Sequence, residues 1–206
     1  MAYASWLVPS KVSGSGNDSV SVTAGSNNTG RNARTTQMTF KAANTENVIR
    51  TVAQAGKPEF VTLQSAAAVA KTGGTLTITG ISNSSTLTFS LGSGATLALT
   101  LPSSYIANSV STQNGAAIVG DPGASQEYVF SITFTGIQEN LTIDALTAQL
   151  VVTDNAGNTA TCSITQAAGD ATLSVSPASI LLDWDAFTQG TSATFTVTSN
   201  TNWMIE

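Results

Sequence analysis

The chain has 206 residues, of which 41% are hydrophobic and only 9% charged, and it contains no histidine. Its formal net charge of -5 argues against the basic surface with which proteins bind nucleic acid phosphates. No apolar run approaches the ~18 residues that a membrane-spanning helix needs. We therefore expect neither a nucleic acid nor a membrane as a partner.

Hydrophobic residues alternate with Ser, Thr, Gly and Asn along most of the chain, and this mixture favours strands and turns over helices. The sequence predicts an all-β fold with two small domains. The single Cys162 excludes an intrachain disulfide and is expected to be a small core residue. If Met1 is the natural start, the missing secretory signal pattern predicts folding in the cytoplasm.

Residues 1–56 contain four predicted strands, at Trp6–Val8, Ser19–Ala24, Arg34–Lys41 and Val48–Gln54. Side chains alternate along a strand, so Met38 and Phe40 fall on one face of the third strand. A segment of this length buries little apolar surface, since even a ~60-residue domain hides only about 60% of its unfolded surface. We expect residues 1–56 to be part of a larger domain.

Residues 57–170 look like a complete sandwich that begins after a linker at Lys57–Glu59. The hairpin signal DNAGN joins the last two strands, and residues 102–126 predict a long loop or an irregular insertion, anchored by Tyr105 and Ile106. The predicted strands are Phe60–Gln64, Gly74–Gly80, Thr86–Leu91, Thr96–Leu101, Tyr128–Thr135, Leu146–Thr153 and Thr159–Gln166.

The end of this domain marks an internal repeat, because ITQAAG at 164–169 echoes VAQAG at 52–56. Residues 171–206 then begin a third unit. The first unit has the strands of a domain's second half and the third unit those of a first half. Residues 171–206 and 1–56 are therefore predicted to be two halves of one split sandwich. The predicted strands of the third unit are Ala171–Ser176, Ser179–Leu182, Thr191–Ser199 and Asn202–Ile205.

Taken in the order 171–206 and then 1–56, the sequence resembles the BACON domain. This is an immunoglobulin-like β-sandwich family, frequent in proteins of gut Bacteroidales and of their crAss-like tailed phages, and named for proposed carbohydrate binding. Residues 57–170 resemble it more loosely. The strings that carry the resemblance are TLSVSPASI, GTSATFTVTSNTNW, SWLVPSKVSGSGNDSVSV, RNARTTQMTF and VIRTVAQAG. It implies two immunoglobulin-like sandwiches, one of them split.

The two halves are suited to each other in size and charge. Together they have 92 residues, near the ~100 of an immunoglobulin-like domain. Residues 1–56 carry a net charge of +3 and residues 171–206 one of -3, which favours their recognition. The halves can meet within one chain, as in a circular permutant, or between copies. The resemblance implies termini at opposite poles of each sandwich, and a strand of about 8 residues separates those poles by roughly 25 Å. Unless residues 102–126 reverse this polarity, exchange between copies is favoured, in a ring or a fibre.

The predicted junction of the split domain consists of Trp203 and Ile205 on one side and Trp6 and Val8 on the other. Trp6, Trp203 and Trp184 are also candidate glycan contacts, because indole faces stack on sugar rings; burial in the core is the plainer interpretation. No catalytic motif is present, so we predict no enzyme and no cofactor. Two acidic groups suggest calcium, but solvated loops and turn chemistry account for them, and no metal site is predicted. These groups are Asp183 with Asp185, and Asp154 with Asn155 and Asn158.

The resemblance implies a structural virion protein, either an auxiliary or decoration subunit of the capsid or the base of a head fibre of a tailed phage. Its expected location is the virion, and its expected partners are further copies of itself and the major capsid protein or other virion proteins. The alternative function is a carbohydrate-binding module or adhesin whose exposed tryptophans contact glycans.

Overall fold

The structure is a computed structural model that describes residues 3–182 and 192–206. It confirms the all-β prediction: the one helical element in these ranges is a short 3-10 turn at Pro122–Ala124. Trp184, Asp183 and Asp185 lie outside the described residues.

The N-terminal unit, residues 3–56, consists of two hairpins. Strand β1 (Leu7–Pro9) pairs antiparallel with β2 (Val22–Ala24), and β3 (Arg34–Phe40) pairs antiparallel with β4 (Val48–Gln54). Each pair is a two-stranded sheet of its own. The strand predicted at Ser19–Ala24 is real but shorter, since only its last three residues pair.

Residues 57–170 form the central sandwich of two sheets. One sheet has the strand order β10-β9-β11-β7-β5 and the other β6-β13-β12-β8. All neighbouring strands are antiparallel except β6 and β13, which run parallel. The strands are β5 (Val61–Leu63), β6 (Ala66–Val69), β7 (Gly74–Ser82), β8 (Leu87–Leu91), β9 (Ser104–Ala107), β10 (Val110–Gln113), β11 (Tyr128–Ile137), β12 (Leu146–Asp154) and β13 (Thr159–Gln166).

A single apolar core lies between these two sheets because inward and outward side chains alternate along the long strands. Ile78 and Leu150 on opposite sheets are fully buried. Tyr105 fills the centre, with its ring edge-to-face against Phe89 at 5.2 Å and Phe130 at 6.5 Å between centroids. The central sandwich therefore has the closed core that its length predicts.

Three sequence predictions in this domain are wrong. Thr96–Leu101 forms no strand; Leu97 is buried there, and its backbone N–H and that of Thr96 both donate to Thr147 O. The loop predicted at 102–126 contains the hairpin β9–β10 and the 3-10 turn. Tyr105 anchors it as expected, but Ile106 points outward and is 44% exposed. The small-residue strand β6 was missed because AAAV shows no alternation.

The C-terminal hairpin, residues 171–182 and 192–206, pairs β14 (Leu173–Ser176) antiparallel with β15 (Thr196–Ser199). The predicted strands at 179–182 and 202–205 do not form in the single chain, and 192–195 is also outside a strand. A strand needs a partner for its backbone N–H and C=O groups. In the described residues, no strand of the N-terminal unit pairs with this hairpin.

Candidate functional site

The hairpin β3–β4 is a structural repeat of β12–β13 in the central sandwich. Arg34 lies opposite Gln54 in one hairpin, and Leu146 lies opposite Gln166 in the other. Each residue of β12–β13 therefore follows its counterpart in β3–β4 by the spacing from Arg34 to Leu146, which we call the repeat offset. The turns before the two hairpins also match. The side-chain amide of Asn28 donates to the carbonyl groups 4 and 27 residues later, and so does that of Asn140, one repeat offset further along. The echo noted in the sequence is therefore a repeat of backbone register and of side-chain hydrogen bonds.

The repeated hairpin differs in what lies beside it. In the central sandwich, β12 pairs on its outer side with β8, and β13 pairs with β6. In the N-terminal unit, β3 and β4 pair with each other, and no other described strand pairs with either. Both outer edges of this hairpin are open, and open edges are templates for further strands.

The N-terminal unit is fixed to the central sandwich by a buried polar joint around Asn83, which we call the first joint. The Asn83 amide donates to the carbonyls of Thr29 at 3.3 Å, Lys57 at 3.2 Å and Pro58 at 3.2 Å, and its Oδ1 accepts from Phe60 N at 3.1 Å. Asn83 is fully buried. The linker predicted at Lys57–Glu59 is therefore held against the sandwich.

Arg31 adds a second set of contacts to the first joint. Its guanidinium forms an ion pair with Asp121, lies 3.6 Å from a carboxylate oxygen of Glu59 and donates to Asn83 O at 3.1 Å. The hydrogen bond to Asp121 is the main reason why the pKa of Arg31 is raised above its usual value. A side chain at Gly30 would place Cβ 2.3 Å from the carbonyl carbon of Ser125, so the backbones of the two units touch at this joint. The contacts give the N-terminal unit a fixed orientation.

The C-terminal hairpin is fixed by a second joint that repeats the first. Asn200 donates to Leu141 O at 3.0 Å and Asp170 O at 2.8 Å, and accepts from Thr172 N at 2.8 Å. These three partners lie one repeat offset after Thr29, Pro58 and Phe60, the partners of Asn83. The serine before each asparagine behaves alike: Ser82 Oγ donates to Phe60 O at 2.7 Å, and Ser199 Oγ to Thr172 O at 2.8 Å. The C-terminal hairpin thus occupies the place of β5 and β7 in a further sandwich.

In the N-terminal unit, residues that correspond to core positions are uncovered. Phe40 is 43% exposed, whereas its counterpart Val152 in β12 is fully buried. A cleft of about 530 Å³ opens beside Phe40 and Met38, bounded by the loop that follows β1. In the central sandwich the corresponding space is filled by the facing sheet. This unit therefore presents the inner face of a half-core.

The C-terminal hairpin is open in the same way, and more so. Leu181 is 96% exposed, whereas Val69, its counterpart one repeat offset earlier, is 6% exposed. Met204 follows Asn200 as Leu87 follows Asn83, and it is 79% exposed against 0% for Leu87. Phe195 of the hairpin is 44% exposed. Isolated exposed apolar residues are ordinary, but a set that matches a buried core position by position marks an open core face on this hairpin.

The structure does not bring the predicted junction residues together in one chain. Val8 pairs with Thr23 within the first hairpin and is 47% exposed, while Ile205 is 87% exposed and outside any strand. Trp6 is half-buried, with the Arg34 guanidinium 4.8 Å from its ring centroid, and Trp203 is 51% exposed. Sequence reasoning singled out tryptophans and missed four exposed apolar residues that the internal repeat could have identified: Phe40, Leu181, Phe195 and Met204.

The acidic groups considered for calcium have other partners where they are described. The Asp154 carboxylate is buried and accepts hydrogen bonds from Asn158 N at 2.8 Å and Asn158 Nδ2 at 2.7 Å. Within residues 3–182 and 192–206, no three acidic or Cys side chains converge as metal ligands would. The part of the chain that the structure describes also has no helix that is long and apolar enough to cross a membrane.

Comparison with known proteins supports the predicted resemblance in part. Residues 1–55 match the family model described as "BACON: Putative binding domain, N-terminal". No curated protein matches the chain. The matched range is the N-terminal unit with its open hairpin β3–β4, so these residues are similar to a BACON domain.

Proposed function

We propose that this protein is a self-assembling structural subunit whose copies join by completing each other's half-sandwich. Residues 171–206 of one copy provide the first strands of a sandwich, and residues 1–56 of the next copy provide the last ones. The observation that carries the proposal is the match between positions buried in the central sandwich and positions exposed in both halves.

Apolar burial and strand pairing supply the free energy for a concentration-dependent assembly. Fully burying one large apolar side chain contributes about 1.5–3 kcal/mol. Scaled by their exposed fractions of 43%, 96%, 44% and 79%, the side chains of Phe40, Leu181, Phe195 and Met204 together supply roughly 4–8 kcal/mol, and new hydrogen bonds along the strand edges add to it. Association costs on the order of 4–15 kcal/mol. The net affinity is therefore moderate, and the assembly should grow as the protein is concentrated.

Completion between copies is favoured over closure within one chain because the two joints lie at opposite ends of β7. Asn83, in the first joint, directly follows β7, whereas Lys71, just before β7, forms an ion pair with Asp170 beside the second joint. A nine-residue strand spans about 30 Å. The halves of one chain therefore face away from each other, which supports a head-to-tail contact that repeats from copy to copy.

Sedimentation velocity over a range of protein concentrations tests the proposal. We expect species larger than one chain that grow with concentration, and Leu181→Ser should shift the distribution toward single chains. The matched control is Ile106→Ser, because Ile106 is 44% exposed on β9 of the central sandwich and belongs to neither joint. A wild-type protein that sediments as a single folded chain at all concentrations would refute the proposal.

In its finer form the proposal places this assembly in a virion, as an auxiliary or decoration subunit of a tailed-phage capsid or as the base of a head fibre. The resemblance of the sequence to BACON-like proteins of crAss-like phages supports this setting. Antibodies against the purified chain should then label the heads of phage particles from gut Bacteroidales cultures that carry its gene. Labelling of bacterial surfaces but not of particles would contradict it.

A carbohydrate-binding module or adhesin is the second candidate, and the match of residues 1–55 to a binding domain favours it. About half of the Trp203 side chain is exposed and could stack on a sugar ring. The Arg34 guanidinium covers part of the Trp6 ring. Tryptophan fluorescence during titration with mucin glycans tests this role. A saturable shift that disappears in Trp203→Ala supports it, and an unchanged spectrum counts against it.

A further inference from the structure

We infer that an incoming second copy pairs in one defined register, with its residues 204–206 antiparallel to residues 40–42 of the receiving copy and its residues 178–181 parallel to 51–54. This inference rests on the proposed function, and it names which residues of the partner meet which edge. It follows from the register of the central sandwich, where the same edges are already occupied.

The free edge of β3 receives the end of the incoming copy. In the central sandwich, Thr153 of β12 is opposite Thr88 of β8. Thr153 lies one repeat offset after Lys41. The second joint matches Asn83 with Asn200, so Thr88 corresponds to Ile205. Lys41 of one copy therefore comes opposite Ile205 of the next.

This register places side chains on the correct faces. Thr88 is exposed, and Lys41 and Ile205 fall on the same outer face. Their neighbours point inward: Met204 takes the position of the fully buried Leu87. A slip by one residue would turn Met204 outward, because successive side chains of a strand point to opposite faces.

The free edge of β4 receives residues 178–181. In the central sandwich, Gln166 at the end of β13 lies opposite Val69, and its amide donates to Ala70 O, Lys71 O and Gln138 O. Gln54 occupies the same place in β4, and its amide donates to Ser26 O at 3.1 Å, the counterpart of the Gln138 contact. The counterpart of the Ala70 acceptor is Leu182, so the incoming copy would supply it.

Charge also fits an incoming copy in this register. Lys41 and Arg50 belong to no ion pair within the described ranges. In this register Glu206 of the incoming copy comes opposite Phe40 and shares the inner face with Arg50, because the counterparts of both charged residues, Phe89 and Cys162, are buried. The excess of +3 in residues 1–56 and of -3 in residues 171–206 has the sign that this pairing requires. The occupant that the edges fit is thus a second copy of this chain.

Cysteine cross-linking of the full chain tests the register. Directly opposed residues of antiparallel strands have Cα atoms about 4.5–5.5 Å apart, within the range of a disulfide. The double variant Lys41→Cys with Ile205→Cys should form a ladder of disulfide-linked chains under mild oxidation. The control is Lys41→Cys with Met204→Cys, because Met204 is as accessible as Ile205 in the single chain but points inward in this register. The natural Cys162 is fully buried and should therefore form no disulfide in the folded protein.

The outcomes separate the register from the proposed function. A ladder with Ile205→Cys and at least tenfold less product with Met204→Cys supports the inference. The reverse preference, or equal yields, in a protein that sediments as an oligomer under reducing conditions overturns the register and leaves assembly standing. A faster-migrating monomer band with Ile205→Cys shows closure within one chain and overturns both. Single chains throughout, in oxidised and reduced samples alike, also overturn both.

Discussion

Replacing Asn83 by alanine should be among the most destabilising single changes in the protein. The fully buried Asn83 amide donates to three carbonyls and accepts from Phe60 N. Each net hydrogen bond contributes about 0.5–1.5 kcal/mol, and an orphaned buried N–H costs about 1–3 kcal/mol. In Asn83→Ala the three carbonyl oxygens lose a donor, which costs less free energy than the loss of the acceptor costs the Phe60 N–H. We therefore expect Asn83→Ala to lower the free energy of unfolding by roughly 3–5 kcal/mol.

Urea denaturation, followed by circular dichroism, measures this loss, and Asn200→Ala is the matched control. Asn200 makes the same kind of bonds at exposed atoms, where water replaces a lost partner, so its replacement should cost only about 0.5–1.5 kcal/mol. Limited proteolysis adds a local readout: residues 56–60 should become cleavable in Asn83→Ala. The argument that the first joint is a buried structural element would be refuted by equal losses for both variants. It would also be refuted if Asn83→Ala cost less than a single net hydrogen bond.

Three further predictions follow from charge and burial. Arg50 and Glu206 take inward positions on either side of β3, where the counterparts Cys162 and Phe89 are buried. Arg50→Glu should therefore weaken assembly at least tenfold in sedimentation, and added Glu206→Arg should restore it; no rescue would contradict the placement of both charges on one inner face. Burial raises the pKa of Tyr105 to about 12, above ~10 in the unfolded chain. The neutral phenol therefore stabilises the fold fully below pH 10, and this contribution is lost as the pH rises toward 12. Urea midpoints should fall over this range, less steeply in Tyr105→Phe; parallel curves would contradict the shift. Burial also raises the pKa of the Cys162 thiol, so Ellman's reagent should react with it only after unfolding, and a fast native reaction would contradict its burial.

Much of the fold follows from the sequence because strand signals are local. Val48–Gln54 and Thr159–Gln166 are predicted with the bounds that the structure gives them, since each is an alternating run between turn residues. Thr96–Leu101 has the same alternation yet forms no strand. Leu97 is buried, but its backbone bonds to Thr147 O instead of a ladder. Tertiary contacts that decide such a case cannot be read from a window of a few residues.

The candidate site was harder to predict. Local pattern predicts strands at 179–182 and 202–205, but in the single chain no described strand pairs with these residues, and they form no strand there. Trp6 and Trp203 attract attention by size, although the largest differences in exposure from the counterparts in the central sandwich are those of Leu181 and Met204. Only the comparison with the central sandwich, position by position, identifies the side chains that are exposed where their counterparts are buried.

Hydrogen exchange at the β3 and β4 amides, residues 34–54, tests most directly whether one copy completes the fold of another. In the full chain at micromolar concentration, these amides should be protected, including those on the outer edges of the hairpin. In an isotope-labelled chain that lacks residues 171–206 the outer-edge amides should exchange rapidly, and adding unlabelled full-length protein as a donor of the missing strands should restore their protection. Equal protection with and without residues 171–206 would contradict completion between copies.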